Sequence, residues 1–127
     1  MATNVKILLV DDDEFLLDMY SIKFREAGFD IENAKSGEEA LEKMKQTPYD
    51  IILLDIIMPQ LDGFEVLQRM KKDNLSPGSV VIILSNLGQK EDIERGLYLG
   101  ATDYVVKAHF TPREVVEKVK FHLSKKK

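Results

Sequence analysis

Three short apolar runs stand out along the chain, at residues 5–10, 51–54 and 80–84. Each is rich in Val, Ile and Leu and continuous rather than alternating. Alternation marks a strand with one wet face, whereas a continuous run marks a strand covered on both faces, as in a parallel sheet. Two weaker strands are predicted at 30–33 and 103–106. The segments between them repeat their apolar residues at helical spacing. Residues 14–27 place Leu16, Tyr20, Phe24 and Ala27 on one face, and Gly28 follows as a C′ stop. Residues 36–46 open with Ser36 and Glu39 in capping-box spacing and turn Ala40, Leu41 and Met44 inward. Residues 63–72 carry Val66, Leu67 and Met70. Residues 89–99 are expected to bury Ile93 and Leu97, with Gly96 weakening the helix. Residues 111–124 begin with Thr111 as N-cap, Pro112 at N1 and Glu114 at N3, and bury Val115, Val116, Val119 and Leu123.

Strand and helix therefore alternate five times. Alternating βα units joined by right-handed crossovers give an α/β sandwich with helices on both faces of a parallel sheet. The common order at this size is flavodoxin-like, 2-1-3-4-5. Its switch point lies between strands 1 and 3, where ligands sit beyond the carboxyl ends of the strands.

Composition narrows the class. The chain has 127 residues, enough for one two-sided core, and no linker or low-complexity stretch divides it, so residues 1–127 are expected to be one domain. With no cysteine, disulfides and thiolate metal sites are excluded. The net charge of −4 gives no push toward nucleic acid, and no direct nucleic-acid or membrane contact is expected. Met1-Ala2-Thr3-Asn4 leads straight into the first strand without the features of a signal peptide, and no apolar run can span a bilayer, so a cytoplasmic protein is expected. The Lys125-Lys126-Lys127 run is expected to be a solvated or frayed helix end.

Polar residues gather where the strands end. Asp11, Asp12 and Asp13 follow strand 1, Asp55 closes strand 3, Ser85 and Asn86 close strand 4, and Lys107 closes strand 5. Taken singly, each has an ordinary reading. An Asp after a strand is usually a turn or cap residue, and Asp13 is expected to cap the first helix. Their joint occurrence is harder to explain that way. Two carboxylates about 5 Å apart repel by roughly 3 kcal/mol at an effective dielectric of 20. A hard divalent cation held by oxygen ligands would offset this, and the Lys107 ammonium would add to it. Carboxylate nucleophile, metal, hydroxyl and cation together make a site suited to phosphoryl transfer onto an aspartate.

At this point the residues resemble a known family, the receiver domain of bacterial two-component response regulators, over essentially the full length. Val10-Asp11-Asp12 resembles its acidic pair. Asp55-Ile56-Ile57-Met58-Pro59-Gln60-Leu61-Asp62-Gly63 matches its D-x-x-M-P-x-x-D-G segment. Leu84-Ser85 resembles its switch hydroxyl, and Asp103-Tyr104-Val105-Val106-Lys107 its aromatic and lysine pair. The resemblance implies that Asp55 is the phosphoacceptor. It implies that Asp12 and Asp55, with the backbone carbonyl of Ile57, ligate Mg²⁺ (or Mn²⁺), and that Asp11 acts mainly through a metal-bound water. Ser85, the Asn86 backbone N–H and Lys107 would bind the phosphoryl oxygens. Tyr104 would turn inward as Ser85 moves, reshaping the face made by the fourth helix, fifth strand and fifth helix. A sensor histidine kinase or histidine phosphotransfer protein would supply the phosphoryl group. A downstream target protein, or an output domain beyond this sequence, would receive the signal. The chain would be a signalling domain, not an enzyme acting on other substrates, apart from its own phosphorylation and dephosphorylation.

Three positions depart from the family pattern. Lys107 is followed by Ala108 where the family usually has proline, so a trans Lys107–Ala108 bond and a re-routed connection through His109 and Phe110 are expected, because a non-proline cis bond costs about 2.5–4 kcal/mol. Asn86 replaces a small residue and would narrow the approach of water. Ile57 and Leu87 are apolar beside the mouth and would hinder the attacking water, favouring a long-lived phosphoryl state. Neither His109 nor His122 fits the site, and His122 is expected at the surface.

Other chemistries fit less well. A haloacid-dehalogenase-type phosphatase needs a second Asp two residues after the nucleophile, where this chain has Ile57. A flavodoxin-like nucleotide binder would want a Ser/Thr/Gly-rich loop after strand 1, where Asp11-Asp12-Asp13 would repel phosphate unless a metal intervened. A degenerate receiver would not keep Asp12, Asp55, Ser85 and Lys107 together.

Overall fold

The computed structural model describes residues 5–125. The expectations for Met1–Asn4 and for Lys126 and Lys127 lie outside them. The elements run β1 (Lys6–Val10), α1 (Glu14–Glu26), β2 (Asp30–Ala34), α2 (Gly37–Gln46), β3 (Ile51–Leu54), α3 (Gly63–Lys72), β4 (Val80–Ser85), α4 (Lys90–Tyr98), β5 (Asp103–Val106), a 3₁₀ turn (Lys107–His109) and α5 (Pro112–Lys125). All strand pairs are parallel, in the order β2-β1-β3-β4-β5. This is the flavodoxin-like arrangement expected from the sequence.

The continuous apolar strands serve two cores. Leu8, Val10, Ile52, Leu54 and Ile83 face one side, where α2 supplies Ala40, Leu41 and Met44 and α3 supplies Phe64, Val66, Leu67 and Met70. Ile7, Leu9, Leu53, Ile82, Leu84 and Val105 face the other, against Leu17, Tyr20 and Phe24 of α1 and Val115, Val116 and Val119 of α5. Strand neighbours point to opposite faces, so a strand buried on both must be apolar throughout.

Helix starts and stops follow local chemistry. Asp13 Oδ1 accepts from the backbone N–H groups of Phe15 (2.9 Å) and Leu16 (3.3 Å). Ser36 Oγ accepts from Glu39 N–H at 3.1 Å. Thr111 and Glu114 cap reciprocally at 2.8 and 3.2 Å. Gly28 ends α1 with a φ of 93°, a left-handed conformation that glycine adopts without steric cost.

Several details differ from the sequence reading. In α1 the fully buried leucine is Leu17, while Leu16 and Ala27 only flank the core. Leu123 likewise sits at the edge of its core. In α4, Leu97 is not inward but 44% exposed, and Ile93 is half-buried. The buried residue of α4 is Gly96. A Cβ there would lie 2.4 Å from Ile83 Cδ1 and 3.0 Å from the Tyr104 ring, so a larger residue would have to displace the Ile83 tip and press on the ring, whereas glycine fits as they stand. His122 is not a surface residue either: its side chain is 13% exposed, and its Nε2 lies 2.8 Å from Asp103 Oδ2. The α5 periodicity could not reveal this, because the partner carboxylate comes from the start of β5.

Candidate functional site

The sheet register sets the site. Val10 stands opposite Leu54, and Leu54 opposite Ile83, so β1 and β3 end level while β4 runs two residues further, to Ser85. The chain then leaves the sheet under control: Asp11 N–H donates to Ala34 O (3.1 Å) and Asp55 N–H to Val10 O (3.0 Å). Both carboxylates are thereby fixed beside one another at the switch point.

Lys107, at the end of β5, crosses to them. Its Nζ lies 2.7 Å from Asp11 Oδ2 and 3.1 Å from Asp55 Oδ2. Asp11 Oδ1 also accepts from Asp13 N–H at 2.9 Å, and Asp55 Oδ1 from Ile57 N–H at 3.3 Å. Asp11 and Asp55 are buried, and Asp12 is exposed at the rim. Burial pushes the Asp11 carboxyl above its ordinary value, more than its hydrogen bonds to Lys107 and the Asp13 backbone bring it down. For Lys107, burial acts against the charge. Its hydrogen bond to Asp11 and the charges of Asp55 and Asp11 outweigh burial, so the ammonium is held above the ordinary lysine value.

Asp11, Asp12 and Asp55 each present a carboxylate oxygen within 4.8 Å of the others. An all-oxygen set with one exposed member suits a hard divalent cation that keeps some of its water. The acidic cluster can therefore hold a metal ion.

The segment after Asp55 is shaped by its glycine. Gly63 begins α3 directly on the Asp55 main chain, and a Cβ there would lie 2.4 Å from the Asp55 carbonyl oxygen. Gly63 N–H donates to Ile56 O at 2.9 Å. Asp62 and Glu65 close a reciprocal capping box at 2.9 and 3.0 Å. This box was legible as D-x-x-E spacing but was absent from the sequence reading.

The remaining predicted residues lie around this cluster but do not all join it. Ser85 is fully buried, and its Oγ accepts from Leu87 N–H at 3.3 Å. Asn86 is exposed, as is Ile57 at 57%. Tyr104 already lies inward. Its ring packs on Gly96, and its hydroxyl donates to the Leu87 carbonyl. Burial is the main cause that raises its phenol to about 12. No cis peptide bond occurs among the described residues, so Lys107–Ala108 is trans as expected, and a 3₁₀ turn opens the connection to α5. Sequence reasoning missed the Leu87 carbonyl as the partner of Tyr104. A backbone acceptor leaves no residue-type signal.

Residues 7–120 match the response regulator receiver domain family. The alkaline phosphatase synthesis transcriptional regulatory protein PhoP of Bacillus subtilis is 38% identical over 117 residues, covering 92% of this chain and 48% of that protein. The transcriptional regulatory protein ResD of the same organism is 36% identical, over 94% of this chain and 48% of that protein. The chain thus spans about half the length of these curated relatives. Among solved structures, the receiver domain of the Francisella response regulator 1452 superposes with a TM-score of 0.89 at 36% identity, covering 98% of this chain and all of that one. A CheY-like receiver domain protein from Methanospirillum hungatei gives 0.89 at 30% identity, covering 98% and 97%. No helix among the described residues is long and apolar enough to cross a membrane. Fold, acidic cluster and relatives agree, and the chain belongs to the response regulator receiver domains, the signalling modules of two-component systems.

Proposed function

We propose that Asp55 accepts a phosphoryl group in a Mg²⁺-dependent reaction, from a sensor histidine kinase or a histidine phosphotransfer protein, and that residues 1–127 act as one receiver unit. The observation that carries this reading is Lys107 bridging Asp11 and Asp55 beside the exposed Asp12.

Each residue has a part. An Asp55 carboxylate oxygen attacks phosphorus in line with the departing imidazole nitrogen. A P–O bond forms as the P–N bond breaks, and the imidazole leaves with the electron pair. Asp12, Asp55 and the Ile57 carbonyl would hold Mg²⁺, with Asp11 acting through a bound water. The ion supplies charge neutralisation at the phosphoryl oxygens. Lys107 is positioned to pair with one phosphoryl oxygen, and Ser85 Oγ and the Asn86 N–H with others. The acyl phosphate carries nearly two negative charges where the Asp55 carboxylate carried one, so the modification adds about one. It shifts the conformational equilibrium only through contacts that differ between states, and Ser85 and Lys107 supply that difference. Tyr104 and α4 carry the change to the α4–β5–α5 face, where a downstream target or an output domain would read it.

The apolar Ile57 and Leu87 and the exposed Asn86 side chain would slow hydrolysis. We place the protein in the cytoplasm, with such kinases. Incubation with acetyl phosphate and Mg²⁺ should phosphorylate the wild type and leave Asp55→Asn unlabelled, and chelation should stop the reaction. Equal labelling of Asp55→Asn overturns the assignment.

A further inference from the structure

Helix α4 buries Gly96, and the adjacent Arg95 makes a cation–π contact. Gly96 rests on Tyr104 and Ile83. Arg95 reaches the other way. Its guanidinium carbon lies 4.3 Å from the centroid of the Phe64 ring, which is buried in the first turn of α3. Among the described residues, no carboxylate forms an ion pair with Arg95, so the ring face is its principal contact. A guanidinium over an aromatic face is attracted by the ring quadrupole and stacks flat on it.

Phe64 follows Gly63, the residue seated against the Asp55 carbonyl oxygen. A displacement of the Asp55 main chain therefore passes to Phe64 through one residue with no side chain to absorb it. From Phe64 it passes to α4 through Arg95. We infer that Arg95 is a positioning residue, coupling the phosphoacceptor segment directly to α4 across the α3 side of the sheet. This route is separate from the one through Ser85, Leu87 and Tyr104. Neighbouring residues of α4 thus grip two aromatic rings, one moved by Asp55 and one by β5. The coupling rests on Asp55 being the phosphorylated residue.

The test is amide hydrogen exchange of the full chain, with Mg²⁺ alone and with Mg²⁺ plus beryllofluoride as the phosphoryl mimic. Wild type, Arg95→Ala, Arg95→Lys and Phe64→Leu are compared. Without beryllofluoride, Arg95→Ala is expected to speed exchange in α4 by about two- to fivefold, the size of one exposed cation–π contact. With it, the wild type should change its α4 exchange, and Arg95→Ala and Phe64→Leu should lose much of that change. Arg95→Lys should restore it in part. If Arg95→Ala keeps the full beryllofluoride response, Arg95 is only a brace and the coupling is overturned, whatever its effect on basal exchange. If the wild type itself ignores beryllofluoride, the Asp55 assignment fails and the coupling falls with it. Binding of beryllofluoride to every variant, read by ¹⁹F NMR, separates lost coupling from lost binding.

Discussion

The Lys107 ammonium lies 3.1 Å from the Asp55 carboxylate and 2.7 Å from that of Asp11, so a single cation sits between two buried acids. Removing one partner of a buried pair leaves the other charges uncompensated and costs about 3 kcal/mol or more. Lys107→Met should therefore lower stability to urea by about 3 kcal/mol in EDTA. Mg²⁺ should recover more of the loss in this variant than it adds to the wild type. Urea titrations with and without Mg²⁺ check both statements, and a variant indifferent to Mg²⁺ would refute the metal half.

Gly63 tests whether α3 needs its close seat on Asp55. A methyl group there meets the Asp55 carbonyl oxygen and Ile56 Cδ1 at 2.4 and 2.7 Å. Overpacking of that kind costs about 1–3 kcal/mol. Gly63→Ala should lose stability in that range and also weaken beryllofluoride binding, because Asp55 must move to admit the methyl. Tight binding in a destabilised variant would separate the two effects.

Tyr104 gives a prediction in alkali. Its phenol is raised to about 12, mainly by burial and further by the charges of Asp92 and Asp55. An unfolded tyrosine ionises near 10. The folded state therefore holds the proton more tightly. This contribution is complete below about pH 10 and is lost as the pH rises from there toward about 12. Difference absorbance at 295 nm between wild type and Tyr104→Phe should titrate near 12. At neutral pH, Tyr104→Phe should cost about 1 kcal/mol, the size of one hydrogen bond.

Asp103 gives the mirror prediction in acid. Burial pushes its carboxyl up, but hydrogen bonds from His122 and the Tyr104 backbone, with the charges of Lys118 and His122, hold it below the ordinary value. Such a group contributes stability above its unfolded pKa of about 3.9, and loses it as the pH falls from there through the lower folded value. His122→Leu should flatten this acid limb. Urea midpoints measured from neutral pH down to about 2.5 would show it. An unchanged limb would mean that Lys118 and the backbone hold Asp103 without the imidazole.

The sequence made the strands and most helices legible because their signals are local. Unbroken apolar runs, caps at Asp13, Ser36 and Thr111 and a stop at Gly28 each depend on a few neighbouring residues. The convergence of Asp11, Asp12, Asp55 and Lys107 was legible one level up, since parallel βα units bring the strand ends to one edge. What escaped depends on contacts between distant segments. Leu97 had the helical spacing of a core residue, but Tyr104 and Ile83 fill the space beneath α4, and the residue that faces them there is Gly96. His122 read as surface because Asp103, 19 residues away, is what covers it. Tyr104's partner is a carbonyl, invisible to any reading of side chains.

Gly96 has a mechanical consequence. Packed helices ordinarily interlock, side-chain knobs in the hollows of the neighbour, and to shift they must climb from one hollow to the next. At its one buried position α4 offers bare backbone to Tyr104 and Ile83. With no side chain to lift out of a hollow at that position, a small shift of α4 is expected to cost less there than it would for a helix interlocked by a larger residue. Where it comes to rest is then decided by the rings on either side of it.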